Sequence, residues 1–256
     1  MAQDRPMGPK LPVSDTMRNA LAAARWACGD LGSATTLACL VVLAKEALHT
    51  VLIDPTKPVR FQQDVFLVDL ACTILLAPYW MAMFRRILGA GGSLPEIVMG
   101  RAGPFQAFLA VELFWLLVDG VLDRSLSAGG TGQVRMVAGF LAGLGILVLQ
   151  VWMSLLLPAL AVGAPDATLR GVLALTRGSA GRLGLILVGT ILPPGLLARM
   201  LSAPERAGAE VPPVVVALRV IASGLIEMAL LVVVTALLAE IYRRLRAPVD
   251  GLTRRP

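Results

Sequence analysis

Six long apolar runs limit the folds open to this chain more than any other feature. A helix needs about 20 apolar residues to cross the hydrocarbon core of a bilayer. The runs predict membrane-spanning helices at residues 31–53, 66–88, 105–122, 134–162, 183–201 and 213–242. Hydrophobic residues make up 57% of the chain and charged residues only 16%, which is too apolar for an ordinary soluble domain. The sequence therefore predicts an all-α membrane protein that forms a single polytopic domain over residues 1–256.

Lysine and arginine are distributed unequally between the two sides of the predicted spans. Roughly twice as many lie on the side that holds both chain termini as on the other side, and basic residues near helix ends are retained in the cytoplasm. We expect both termini to be cytoplasmic in a bacterial inner membrane, with residues 1–13 and 247–256 as flexible tails. The net charge of +6 is then a consequence of topology, and nucleic acid is not an expected partner.

Two polar segments that precede apolar runs have nearly the same sequence. Residues 14–32 read SDTMRNALAAARWACGDLG, and residues 166–184 read DATLRGVLALTRGSAGRLG. At a constant offset of 152 residues, the identical positions are Thr16, Arg18, Leu21, Ala22, Arg25, Gly29, Leu31 and Gly32, which recur as Thr168, Arg170, Leu173, Ala174, Arg177, Gly181, Leu183 and Gly184. Half of this offset leads from Arg25 to Arg101, in a segment that also precedes an apolar run.

These segments predict three parallel repeats at about residues 14–88, 92–162 and 166–242. Each repeat would begin with an elbow helix, meaning an amphipathic helix that lies in the headgroup layer, and continue as a hairpin of two spans. Arginine side chains on such helices extend to lipid phosphates. The residues expected to contact headgroups are Arg18, Arg25, Arg101, Arg170 and Arg177. Membrane lipids are thus the expected partners, with a membrane protein or a second copy of the chain as a further possibility.

The segment LRGVLALTRGSAGRLGLILVG and its repetition along a six-helix chain resemble a bacterial family. This family groups the membrane domain of glycerophosphoryl diester phosphodiesterase with uncharacterised relatives. In the enzyme that gives the family its name, the catalytic domain is a separate soluble module. The resemblance therefore implies a noncatalytic membrane unit.

Several ionisable residues lie within the predicted spans, where an unpaired charge costs several kcal/mol. We expect Lys45, Glu46, His49, Asp69 and Asp119 in the outer halves of their spans, where they could form a polar vestibule open to the far side. Alternatively, they pair within the bundle, for instance Lys45 with Asp69 or Asp119, and lock its packing.

Glu112 and Glu227 lie near the middle of the third and sixth spans. If they face each other, they could share a proton, or each could act as an ordinary hydrogen-bonding contact between helices. Prolines in two other spans are a further feature. Pro158 is expected to break the fourth span and Pro193 with Pro194 to interrupt the fifth, either as a packing kink or as a break that lines a binding site.

Motifs for metal, cofactor or catalytic chemistry are not found. The three cysteines lack the spacing of a zinc or redox site, and a single histidine excludes an all-histidine metal site. The glycine-rich turns match neither a Walker loop nor a dinucleotide-binding motif, and no serine-hydrolase or zinc-protease motif is present. We therefore expect no catalytic residue, no cofactor and no metal.

The sequence favours a noncatalytic inner-membrane protein that organises lipid or partner proteins in the bacterial envelope. The alternative is a small transporter or channel that uses the polar vestibule and the pair of Glu112 and Glu227. An intramembrane enzyme is the third hypothesis.

Overall fold

The structure is a computed structural model that describes residues 12–52, 63–99, 102–128, 133–165, 167–206 and 212–253. The helices are α1 (Val13–Asp30), α2 (Gly32–Leu52), α3 (Gln63–Ile87), α4 (Leu94–Met99), α5 (Ala102–Ala128), α6 (Gln133–Met153), α7 (Leu156–Ala161), α8 (Leu169–Thr176), α9 (Ala180–Arg206) and α10 (Pro213–Thr253). No strand occurs in these ranges. The prediction of an all-α protein is therefore confirmed.

Six segments are long and apolar enough to cross a membrane. They are Gly32–Leu52, Gln63–Ile87, Gly103–Val121, Leu141–Ala161, Ala180–Leu197 and Pro213–Ala247. Each overlaps one of the six predicted spans. The fourth segment extends over α6 and α7. A further helix precedes each pair of spans, namely α1 before the first pair, α4 before the second and α8 before the third.

Proline residues affect the fourth and fifth spans differently. The fourth is interrupted at Ser154 and Leu155, because Pro158 has no N–H to donate to the carbonyl of Ser154. Helix α9, by contrast, continues through Pro193 and Pro194. The expected break of the fourth span is found, and the helix of the fifth span is not broken at its two prolines.

Helix α10, with 41 residues, is the central element. It packs against α1, α2, α3, α7, α8 and α9. Buried residues are concentrated where the C-terminal halves of α3 and α10 meet α1 and α7. Small side chains such as Ala20, Ala24 and Ala27 let α1 lie close to its neighbours. We refer to this half of the bundle as the arginine-rich end, since Arg85, Arg86, Arg243 and Arg244 lie there.

Helix α10 extends to Thr253, so it includes the first part of residues 247–256, the segment expected to be a flexible cytoplasmic tail. Residues 254–256 of this segment lie outside the described ranges, and so do residues 1–11 of the expected N-terminal tail.

Candidate functional site

Five ionisable residues from three helices lie together in the half of the bundle opposite the arginine-rich end. Lys45, Glu46 and His49 belong to α2, Asp69 to α3 and Glu227 to α10. Lys45 Nζ donates to Glu227 Oε1 in an ion pair, and Glu46 is the residue after Lys45 on α2. His49 Nε2 lies 3.1 Å from Asp69 Oδ1, at an angle that does not make a hydrogen bond. We name these five residues the membrane polar cluster.

A glycine allows the helices that carry the cluster to approach. Gly224 lies one turn before Glu227 on α10 and is buried. A Cβ atom at this position would be 2.7 Å from Leu43 Cδ2 and 3.5 Å from Leu43 Cα. Because Leu43 is two residues before Lys45, the contact between Gly224 and Leu43 brings the lysine of α2 next to the glutamate of α10.

The ion pair is only partly buried within the protein. The side chain of Lys45 is 15% exposed and that of Glu227 is 37% exposed. Lys45 lies about 10 Å from the C-terminal end of α2 at 1.5 Å per residue, so the pair is within the span rather than at its end. Asp69 adds electrostatic attraction to Lys45. The prediction that Lys45 pairs with Asp69 or Asp119 is therefore incomplete, because its ion-pair partner is Glu227.

Glu112 and Asp119 do not join this cluster. Both belong to α5, which packs against α3, α4, α6 and α7. Within the described part of the chain, neither carboxyl forms a hydrogen bond or an ion pair. The expected pairing of Glu112 with Glu227 is not found among these residues, since the Glu227 carboxylate is engaged by Lys45.

The two similar segments of the sequence bury the same positions over part of their length, whereas Thr16 is buried and its counterpart Thr168 is exposed. Residues 20–30 and 172–182 have an identical order of buried, half-buried and exposed side chains. The buried positions are Ala20, Ala24 and Ala27 in the first segment and Val172, Thr176 and Ser179 in the second. Leu21 and Leu173, which are 44% and 42% exposed, lie beside the exposed Arg25 and Arg177. Arg18 and Arg170 are exposed as well.

The backbone differs between these segments. Helix α1 is continuous to Asp30, whereas α8 ends at Thr176 and a turn follows, in which Gly178 has φ +87°. This left-handed conformation favours glycine. The side-chain pattern is therefore shared over residues 20–30 and 172–182, even though the chain turns within the second of these ranges only.

The middle segment does not share this pattern. Ile97 is buried, although the offset aligns it with the exposed Leu21, and Arg101 lies outside the described residues. Helix α4 begins with a capping box, in which the Ser93 N–H donates to Glu96 Oε2 at 2.9 Å and the Glu96 N–H donates to Ser93 Oγ at 3.5 Å. The hydrogen bonds from Ser93 lower the pKa of Glu96.

Arg85 has a structural role that its sequence position does not reveal. The side chain is 6% exposed. Its Nε donates to the Gly91 carbonyl at 2.8 Å, Nη2 to the Ala90 carbonyl at 3.1 Å and Nη1 to the Ala161 carbonyl at 3.0 Å. Arg85 thus connects the turn after α3 to the end of α7. Gly92, with φ +103°, leaves room for the guanidinium.

Glu240 is a second buried charge that the sequence reasoning missed. The residue is 1% exposed and accepts from Arg243 Nη2, from Arg244 Nε at 2.7 Å and from Asn19 Nδ2 at 3.5 Å. The spacing of Glu240 from Arg243 and Arg244 is a recognisable helical pairing pattern. The bond from Asn19 attaches α1 to α10.

The chemistry available in these sites is ionic and hydrogen-bonding. Within the described ranges, no group of three or more histidine, cysteine, aspartate or glutamate residues could hold a metal ion. Comparison with protein-family models, curated proteins and solved structures finds no match for the chain.

Proposed function

We propose that the protein is a noncatalytic integral protein of the bacterial inner membrane that organises anionic lipid around its arginine-rich end. The observation that carries the proposal is the matched exposure of leucine and arginine on α1 and α8. In this proposal the two helices are elbow helices that lie in the headgroup layer. Partner proteins would be recruited to the same lipid-coated surface.

The exposed apolar side chains of α1 and α8 favour a location in the headgroup layer of the membrane over exposure to water. Trp26 is 57% exposed on α1, and Leu169 is 52% exposed on α8, in addition to Leu21 and Leu173. Burial of apolar surface gains about 25 cal/mol per Å², and each nearby arginine adds about 1 kcal/mol of attraction to an anionic surface. Tryptophan at the headgroup level is typical of membrane proteins. Exposure to lipid therefore accounts for both residue types on one surface.

The arginine distribution supports an orientation with this end in the cytoplasm. In the proposal, the segments before α2 and α9 arose by duplication, which the shared order of buried positions favours. The resemblance to membrane units related to the glycerophosphoryl diester phosphodiesterase membrane domain agrees with a noncatalytic role. The only support for the middle repeat is the order of its elements, since the short helix α4 precedes the spans of α5 and α6.

Lipid retention tests the proposal. The protein is placed in nanodiscs that contain phosphatidylglycerol and phosphatidylcholine, and native mass spectrometry measures which lipid remains bound after release. We expect preferential retention of phosphatidylglycerol, loss of that preference in Arg25→Glu with Arg177→Glu, and its preservation in the double lysine variant. Lys57→Glu with Arg60→Glu, in the segment between α2 and α3, is the matched charge control and should retain phosphatidylglycerol. Equal retention of both lipids by the wild type would refute the proposal.

A small transporter is the second candidate function, and the membrane polar cluster favours it. Ionisable groups at membrane depth commonly belong to ion or proton pathways. Proteoliposomes that show a pH-driven flux in the wild type, and a reduced flux in Glu227→Gln, would support this candidate. Absence of any flux, with lipid preference intact, would leave the lipid-organising function.

A further inference from the structure

The single histidine of the chain has a buried ring nitrogen beside a carboxylate. The Nε2 atom of His49 is inaccessible to solvent and forms no hydrogen bond within the described residues. It lies 3.1 Å from Asp69 Oδ1. Buried polar atoms are nearly always paired, and the charged atom in contact with this nitrogen is a carboxylate oxygen. The pairing of His49 with Asp69 therefore depends on whether the ring carries a positive charge.

The charge of Asp69 is balanced only if the ring is positive. Among the described residues, Asp69 has no ion-pair partner other than His49. Lys45 attracts Asp69 as well, but its charge is balanced by Glu227 in the ion pair. An uncompensated carboxylate within a span is strongly unfavourable. Coulombic attraction depends on distance rather than on bond angle, so an imidazolium at 3.1 Å neutralises Asp69 without an ideal hydrogen bond.

The place of His49 along α2 also favours a positive ring. His49 is in the last turn of α2, which ends at Leu52, and the free carbonyls at the C-terminal end of a helix attract cations. The side chains of His49 and Asp69 are 19% and 30% exposed. His49 is three residues, about 4.5 Å along the helix axis, from the end of α2. Water at this end of the bundle is therefore the source from which the ring can take a proton.

We propose that His49 and Asp69 form a proton-binding site at the end of the bundle opposite the arginine-rich end. A proton from water binds Nε2 of the neutral ring, whose hydrogen is then on Nδ1, and converts the imidazole to an imidazolium. No bond is broken in the protein and no group changes its oxidation state. The imidazolium and the Asp69 carboxylate form an ion pair that joins α2 to α3. This site goes beyond the proposed organisation of lipid, which takes place at the other end of the bundle.

The other ionisable groups of this half of the bundle are few. On the three helices α2, α3 and α10 they are Lys45, Glu46, Asp64, Asp69, Cys72, Arg219 and Glu227. Lys45 lies one turn before His49 and opposes a positive ring, but its charge is balanced by Glu227. Helix α1 also contacts α2, but Asp30 at its end is near the start of α2 and pairs with Arg86. Asp69 is thus the carboxylate in contact with the ring.

Nitrogen-15 NMR of the histidine ring tests the proposal. The full chain is labelled at histidine, purified without a histidine tag and placed in phosphatidylcholine vesicles, so that His49 gives the only ring signals. Nitrogen shifts distinguish a doubly protonated ring from a neutral one, and a free histidine side chain is about half protonated at pH 6.5. At this pH we expect the doubly protonated fraction to be at least about threefold higher in the wild type than in Asp69→Asn. Asp119→Asn, the matched control for an aspartate within a span, should resemble the wild type.

A second variant covers the case in which Asp69→Asn does not fold. Asp69→Glu keeps the carboxylate and should keep the doubly protonated ring, with altered nitrogen shifts. Three results would overturn the proposal. They are a neutral ring in the wild type or in Asp69→Glu at pH 6.5, equal protonation in the wild type and Asp69→Asn, and an equal loss of protonation in Asp119→Asn. The last result would mean that the overall negative charge, rather than the contact with Asp69, holds the proton.

Discussion

Breaking the ion pair between Lys45 and Glu227 should destabilise the protein by an amount that depends on its partial burial. Loss of one partner of a fully buried pair costs about 3–5 kcal/mol, which is an upper limit because polar groups of the unfolded chain in the membrane also find partners. Polar contacts between membrane helices average about 0.6 kcal/mol and reach about 1.7 kcal/mol. We therefore expect Lys45→Met and Glu227→Gln each to cost about 1–2 kcal/mol.

A double-mutant cycle separates the pair from its surroundings. The double variant Lys45→Met with Glu227→Gln should lose about 1 kcal/mol less than the sum of the single losses, which is roughly a fivefold difference in the unfolding equilibrium constant. The assay is reversible unfolding by dodecyl sulfate in bicelles, followed by circular dichroism. Lys45→Met combined with Glu112→Gln is the control and should be additive, since Glu112 does not contact the pair. Additive losses for Lys45 and Glu227 would refute the reasoning.

Three further predictions concern packing, hydrogen bonding and pH. Gly224→Ala should lower the thermal stability relative to Gly189→Ala. A Cβ at Gly224 would be 2.7 Å from a side chain of α2, whereas a Cβ at Gly189 would have no neighbour within 4 Å, and overpacking costs about 1–3 kcal/mol. Arg85→Lys should cost about 2–3 kcal/mol in the same unfolding assay, because a lysine cannot reach the three carbonyls, whereas Arg86→Lys should cost less than about 1 kcal/mol. The hydrogen bonds with Ser93 lower the pKa of Glu96, so the stability that ionised Glu96 gives to α4 is present above the ordinary glutamate pKa and is lost as the pH falls through the lowered value. Acid should therefore increase hydrogen exchange in α4 of the wild type but not in α4 of Glu96→Gln.

The number and approximate place of the spans could be predicted from the sequence because length and apolar content decide whether a helix fits a bilayer. Helix breaks were harder to predict. Pro158 interrupts the fourth span, whereas α9 continues through Pro193 and Pro194. Local sequence alone does not determine this, since the carbonyls that a proline leaves unpaired can find other partners in the surrounding structure.

The members of the candidate site could be predicted more reliably than their contacts. Lys45, Glu46, His49, Asp69 and Glu227 were singled out by their depth in the spans. Which of them are in contact depends on how α2 and α10 pack against each other. The close approach of the two helices at Gly224 brings Lys45 into contact with Glu227.

Buried arginine and glutamate at the helix ends were missed for a related reason. Arg85 reads in the sequence as one of many basic residues beside a span, and its three carbonyl acceptors come from two separate segments. Glu240 is followed by Arg243 and Arg244, a spacing that does indicate a local ion pair. Its burial, however, results from the packing of α1 on α10, which periodicity does not predict.

The depth of Trp26 in the bilayer tests the central claim most directly. Trp26 is 57% exposed on α1 and follows Arg25, so it should lie among the headgroups if α1 is an elbow helix. With Trp80, Trp115 and Trp152 replaced by phenylalanine, its fluorescence is measured in vesicles whose lipids carry bromine at different depths. A headgroup position of Trp26 predicts strongest quenching by bromine next to the headgroup, and strongest quenching by bromine at the chain ends, or no quenching at all, would contradict it.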